Sequence, residues 1–356
     1  VVRLAALLAA VLCAAAVLTA CGSGSDPQEE ARASAVAHSS RYFRFFAKKS
    51  FWNTRLEADQ PLDPSSEKLA VAFASEVEAK AQKGKRPWIN TTDYSVPVYK
   101  VPPDEPTVRV ALDSPYRAPA LQAAWRQVPL PPAAQPSEGT DGSLVVYQPA
   151  TDRLWEFWRF SEEGGAPQAA WGGAIRDVSR SSGAYGPKAW PGAKPWWGSS
   201  ASSLSIAGGL ITFADLQAGH INHALALAVP RVRRGVFASP ARRSDGTSTS
   251  ATTLPEGAHL RLDPNLDLTT LGLSPLGLMI ARAAKHYGIF VRDRAGVAHF
   301  FAQDPSSLRG NPYLGEDGYF EGSSPGDLLA DFPWSHLQVL PMKLHEYDPA
   351  EPQGPR

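Results

Sequence analysis

Ser143-Leu144-Val145-Val146-Tyr147-Gln148-Pro149-Ala150-Thr151-Asp152-Arg153-Leu154-Trp155-Glu156-Phe157-Trp158-Arg159-Phe160 is the stretch that decides the fold. Two apolar runs, Ser143 to Gln148 and Leu154 to Phe160, flank Asp152-Arg153, so the segment predicts a β-hairpin. Its β-branched and aromatic residues suit a pleated, half-buried surface. Working outward, Trp171 to Val178 and Gly209 to Phe213 predict further strands, and Ala224 to Pro230 with Gly235 to Ser239 predict a strand pair. Ile289-Phe290-Val291 predicts a strand whose partner is Ala298 to Ala302. Pro97 to Val110 alternates apolar and polar residues with prolines at its edges, as an edge strand or extended arm does. Arg41 to Phe51 reads as an opening strand or as a clasp on the main body.

Two helices are legible. Asp63-Pro64-Ser65-Ser66 opens one, with Leu69, Phe73 and Val77 on a common face and Gly84 at its end. Ser274-Pro275 opens the other, with Ser as N-cap, Pro at the first helical position and Gly288 just past the last turn. The 32 prolines and 29 glycines describe short segments joined by many turns. The expected fold is mainly β: a single β-sandwich or jelly-roll-like domain with two or three helices. Ser179 to Ser203 is a long Gly/Ser/Trp/Pro loop, and loops of that length tend to serve a site or to lack order.

The N-terminus predicts export. Arg3 precedes an apolar run from Leu4 to Leu18, too short to span a membrane, and Leu18-Thr19-Ala20-Cys21 has the form of a lipobox. The expected organisation is a signal peptide over 1–20, lipidation of Cys21, a flexible tether over 21–40, a globular domain over 41–344 and a disordered tail over 345–356. Such a protein sits at the extracytoplasmic face of the cell membrane, held by its lipid. Cys13 leaves with the signal peptide, so a mature chain forms no internal disulfide and has no free thiol nucleophile.

Thirty-five basic and 35 acidic residues balance, and no basic arm is present, which argues against a nucleic-acid partner. Phosphate-loop, dinucleotide and Gly-x-Ser-x-Gly patterns are missing, and Ser65-Ser66-Glu67-Lys68 lacks the companion motifs of penicillin-recognising enzymes. No cofactor is expected. Glu316, Asp317 and Glu321, in a Gly-rich loop, could hold calcium but do not follow EF-hand spacing.

Phe51-Trp52-Asn53-Thr54, Gly139-Thr140-Asp141-Gly142, Leu154-Trp155-Glu156-Phe157-Trp158, Trp171-Gly172-Gly173-Ala174-Ile175, His223-Ala224-Leu225 and Tyr287 to Asp293 together carry a resemblance. Across roughly Phe51 to Val339 the chain resembles an uncharacterised family of secreted bacterial proteins. The resemblance implies one coherent extracellular domain and nothing about its chemistry.

For chemistry, strand alternation sets Leu154, Glu156 and Trp158 on one face. A carboxyl group beside an indole suits sugars, because an aromatic plane stacks on a ring while the acid bonds hydroxyls or moves a proton. Glu156 equally reads as a solvated residue on an outer face. Asp141, on the turn before the hairpin, is a second candidate acid, or a turn residue bonding its own backbone. His223 is a candidate base or a core histidine, and with His220 it lacks a third ligand, so no metal site is expected. Trp158, Trp171, Tyr287 and Arg292 are candidate substrate contacts, with Arg292-Asp293 alternatively an internal ion pair. The expected function is hydrolysis or lysis of a polysaccharide by a membrane-anchored lipoprotein, as a glycoside hydrolase or polysaccharide lyase. The alternative is a lipoprotein that binds glycan or organises the envelope without catalysis.

Overall fold

The computed structural model describes residues 43–132, 134–162 and 165–346. The signal peptide, Cys21, the tether and residues 347–356 of the expected tail lie outside the described residues. Eleven strands build two main sheets: β1 (Trp88–Asn90), β2 (Val96–Lys100), β3 (Leu144–Gln148), β4 (Arg153–Trp158), β5 (Trp171–Arg176), β6 (Leu225–Val229), β7 (His259–Leu262), β8 (Ile289–Arg294), β9 (His299–Phe301), β10 (Gln303–Asp304) and β11 (Leu337–Val339). The first sheet runs β1-β9-β6-β8-β7-β11 and the second β10-β2-β3-β4-β5. The fold is mainly β and sandwich-like, as expected. It carries four α-helices among the described residues rather than two or three: α1 (Ser66–Ala81), α2 (Pro119–Ala124), α3 (Phe213–Ala218) and α4 (Pro275–His286).

The predicted hairpin forms as β3 and β4, paired antiparallel from Leu144 with Phe157 to Gln148 with Arg153. One core joins the second sheet to the first through Leu144, Val146, Trp155, Ala226, Ala228, Phe290 and Phe301. A second core lies on the other face of the first sheet, where Leu225, Leu227, Val229, Ile289 and Val291 meet Leu69, Phe73 and Val77 of α1 and Ile280 and Ala284 of α4. The first sheet is thus buried on both faces, which is why β6 is Leu-Ala-Leu-Ala-Val with every residue buried. The small alanines face one core and the branched residues the other. Phe45 and Phe46 are buried in the first core, and their segment forms no strand, so the clasp reading of this stretch describes it.

Several expected pairings differ. Leu225–Val229 and Val236–Ala238 are both strands, yet the first sits centrally in the six-stranded sheet while the second pairs with Leu344–Glu346. That pairing extends the ordered chain past the expected boundary at 344. β8 and β9 do not pair with each other but flank β6 on either side. The expected pairing across an Arg294-Ala295-Gly296 turn does not form, because β6, buried on both faces, takes both ladders. β2 has neighbours on both sides instead of lying at an edge, and Pro97 is tolerated because it faces Asp304 at the end of a two-residue pairing. Gly209 to Phe213 forms only a bridge, from Ile211 to Ala302, before Thr212 caps α3.

Opposite Glu156 in the β4–β5 register stands Gly173, and a Cβ there would meet the Tyr185 ring at 2.4 Å. The ring packs flat on the strand because nothing projects from it. Gly173→Ala is expected to destabilise the fold by about 1–3 kcal/mol through overpacking, and thermal unfolding measures it; an unchanged midpoint would mean that Tyr185 moves aside freely.

Candidate functional site

The two sheets part at a pocket of about 440 Å³. Its walls come from β8 and β9 (Arg292, Asp293, His299, Phe301), the turn before β3 (Asp141, Ser143) and the long loop (Ser199, Ser200, Ile206), with Trp88 and Tyr94 at its edge.

A register shift in β8 aims its acid here. Leu227 pairs with Val291 but Ala228 pairs with Asp293, so Arg292 is an extra, bulged residue. Without the bulge, Asp293 would keep the phase of Ile289 and Val291 and point into the second core. With it, Asp293 takes the phase of Ala228, which also lines the pocket. Arg292, 2% exposed, lies over the Phe301 ring at 3.6 Å and donates from Nη1 to the Ile206 carbonyl at 3.0 Å. Burial lowers it to about 10, which leaves it charged at neutral pH.

Asp293 is half-buried. Its Oδ1 accepts from the Arg294 amide at 2.9 Å and its Oδ2 more loosely from the Ala201 amide at 3.4 Å. Burial, then the charges of Asp245 and Asp141, push it up to about 7, against the pull of the Arg294 amide and the Arg292 charge. Asp141 is placed by the end of β4: the Arg159 amide donates to its carbonyl, the Phe160 amide donates to the Gly142 carbonyl at 3.0 Å, and Trp158 Nε1 donates to Oδ1 at 3.0 Å. Two carboxylates therefore converge on one pocket, one of them displaced to neutral pH.

His299 Nδ1 faces the Val297 carbonyl at 3.2 Å, so this nitrogen carries the proton and Nε2 is an acceptor. Burial lowers the ring to about 4, which keeps it neutral. His299 Nε2, Arg292 Nε and Ser199 Oγ are buried and find no hydrogen-bond partner among the described residues. All three belong to residues lining the pocket. Buried polar atoms are nearly always paired in proteins, so these three are exceptions that fall together in residues around the pocket.

Glu156 is fully buried and stands behind the wall rather than in it. Its Oε1 accepts from the Ser199 amide at 2.8 Å, and its Oε2 accepts from Ser205 Oγ at 2.7 Å and the Ile206 amide at 3.0 Å. The Tyr185 hydroxyl lies nearby but outside hydrogen-bond geometry. Burial pushes the Glu156 carboxyl up, while these donors, led by Ser205 and Ser199, pull it back. The sequence places Glu156 in a groove or on an outer face; the structure buries it under the long loop.

Of the other candidates, Arg292 and Asp141 meet in the pocket, and Trp158 touches Asp141 from a neighbouring groove. Trp171 lines a further cleft. Tyr287 packs on the first core, its carbonyl taking a bond from His259 Nε2 at 3.0 Å. His223 lines a separate small cavity beside Trp52 and Asn53, with Nε2 at 3.2 Å from Asp215 Oδ2. Burial lowers its pKa, but the Asp215 charge and hydrogen bond outweigh this and leave it raised. His223 thus ties the α3 cap to β6, away from the two carboxylates. His299 and Ser199 escape the sequence reading, and Asp293 enters it only as a possible ion-pair partner of Arg292.

Among the described residues no group of His, Cys, Asp and Glu forms a metal site, and no helix is long and apolar enough to cross a membrane. Comparison with known proteins finds no matching family model, no similar curated protein and no similar solved structure.

Glu156→Gln sets an amide NH₂ against a donor, and leaving one buried donor unpaired costs about 1–3 kcal/mol. The expected outcome is a lower unfolding midpoint with faster hydrogen exchange across Ser199 to Ile206. An unchanged midpoint and unchanged exchange would instead free Glu156 for a role in the chemistry.

Proposed function

We propose that this protein is a lipid-anchored extracytoplasmic enzyme that hydrolyses a polysaccharide, with the pocket between the sheets as its active site. One observation carries the reading: Asp293, raised to about 7, shares the pocket with Asp141. Glycan hydrolysis uses two carboxyl groups in different protonation states, one to deliver a proton and one to act on the sugar carbon or on water. Asp293 then protonates the glycosidic oxygen as its bond to the anomeric carbon breaks. Asp141 takes a proton from the water whose oxygen bonds that carbon. The proton lost by one carboxyl group is balanced by the proton gained at the other.

The remaining walls suit a sugar. Trp88 and Tyr94 offer aromatic planes on which a sugar ring stacks. Arg292 also holds positive charge beside Asp293, where negative charge develops as the proton leaves. The same aromatic walls support the second reading, glycan binding without cleavage. The two differ in what Asp293 does.

Purified protein tested against a panel of envelope and plant polysaccharides is expected to release reducing ends, and Asp293→Asn to lower kcat by about two to four orders of magnitude with little change in thermal stability. The acid acts in its protonated form, so the rate falls as pH rises through about 7. Binding without turnover, unaffected by Asp293→Asn, would leave the binding reading in place.

Anchoring rests on the lipobox at Leu18 to Cys21. Cys21→Ser is expected to abolish labelling by a clickable fatty acid and to accumulate unprocessed precursor; undiminished labelling refutes the anchor.

A further inference from the structure

The Gly139 to Ser143 turn is a thin partition. Asp141 and Ser143 line the pocket on one side, while Gly139, Thr140 and Gly142 line a groove of about 680 Å³ on the other. Trp158 forms part of that groove and reaches through to Asp141 with its indole nitrogen. Tyr116, 36% exposed, ends this groove and begins the next cleft of about 290 Å³, which Trp171 and Trp196 wall. Tyr116 and Trp171 meet edge to face at 6.1 Å. A track lined by aromatic rings thus leads away from the pocket, bordering it at Asp141.

The track is charged on one side of the balance. Arg159 lies over the Trp158 ring at 4.3 Å, and Arg117 and Lys194 line the far cleft; all three are exposed. Among the described residues none of them forms a salt bridge. Asp113 is the one acidic residue lining the two clefts among those described. Aromatic planes spaced along a groove receive successive sugar rings, and unpaired cations between them favour a chain that carries anions. Arginine matches a carboxylate in particular, through two parallel hydrogen bonds.

We propose that this track holds the extended part of a carboxylate-bearing glycan, a polyuronate, whose next residues enter the pocket. The inference rests on the glycan reading of the pocket and adds its substrate class and direction of approach. Arg117 and Lys194 select charge, and Tyr116 and Trp196 stack on rings.

The test measures equilibrium binding by calorimetry, with the full chain and without relying on turnover. The probes are a uronate oligosaccharide of six or more residues, the same chain after carboxyl reduction, a uronate disaccharide and a linear polyol-phosphate polymer. Wild-type protein is expected to bind the long uronate chain most tightly, with affinity falling as salt rises. Arg117→Glu combined with Lys194→Glu should weaken the long chain about tenfold or more and leave the disaccharide unchanged, because the disaccharide fills only the pocket. Trp196→Ala should weaken the uronate and carboxyl-reduced chains alike. No binding of the uronate chain, equal binding of the carboxyl-reduced chain, preference for the phosphate polymer, or indifference to the charge reversal would each overturn the proposal. Failure of the pocket reading looks different: the track variants still weaken binding, but no glycan is cleaved and Asp293→Asn changes nothing.

Discussion

The buried carboxylate of Glu156 is the constraint on which the rest of the site depends. A buried loop carries backbone amides and carbonyls that must find partners, and the segment from Gly198 to Gly208 has little regular structure to supply them. Glu156 takes the Ser199 and Ile206 amides, and two buried arginines take the carbonyls. Arg243 donates to Gly198 and Ser200 at 2.9 and 2.6 Å, and Arg292 to Ile206 and, more weakly, to Gly208 at 3.0 and 3.4 Å. Glu156 and Arg243 therefore hold opposite poles of the Gly198–Ser199 peptide group, while at Ile206 Glu156 takes the amide and Arg292 the carbonyl. Hydrogen bonds to charged groups contribute roughly 1.5–3 kcal/mol each, enough to hold a loop that hydrophobic contacts alone would leave loose. Gly173 makes the arrangement possible, because Tyr185 lies on it beside the carboxylate and closes the space above.

The bulge at Arg292 is the second constraint, and it acts on parity. A strand buried on both faces has no polar side, so any charged residue must leave one of the two cores. Inserting one residue lets Arg292 reach the loop carbonyls while Asp293 reaches the pocket. Each charge then has neighbours: Arg292 beside Asp293, and Asp245 both bonded to Arg294 at 3.1 Å and close enough to raise Asp293. Burial and two neighbouring acids outweigh the Arg294 amide and one adjacent guanidinium. The carboxyl is therefore displaced toward neutrality and not held ionised, which is the physical difference between an internal ion pair and a group able to give a proton near pH 7.

Local pattern made the hairpin, α1 and α4 legible. Alternating β-branched and aromatic residues around Asp152, the spacing of Leu69, Phe73 and Val77, and the Ser274 cap whose Oγ accepts from the Gly277 amide are all decided within a few residues. Pairing was not, since β6 chooses β8 and β9 across some 60 to 75 residues of chain through burial that only the assembled cores define. The site was half legible. Asp141 and Arg292 stand out as polar residues at strand ends, but alternation assigns Asp293 to the wrong face because a bulge is invisible to it. Glu156 was visible as an acid among aromatics. Nothing local distinguishes a carboxylate lining a groove from one roofed by a loop 43 residues further along the chain.

The orphaned atoms on the pocket wall follow from the same grip. Ser199 donates its amide to Glu156 and Arg292 turns Nη1 to the loop, while Ser199 Oγ and Arg292 Nε are left without partners among the described residues. His299, with Nδ1 committed to Val297, presents a bare Nε2. An unpaired buried polar group costs about 1–3 kcal/mol, so a fold built for stability alone would replace these side chains with apolar ones or pair them. Ser199 and Arg292, which help fix the loop, also line the pocket, so the shape of the pocket and the packing of the loop are one structural problem.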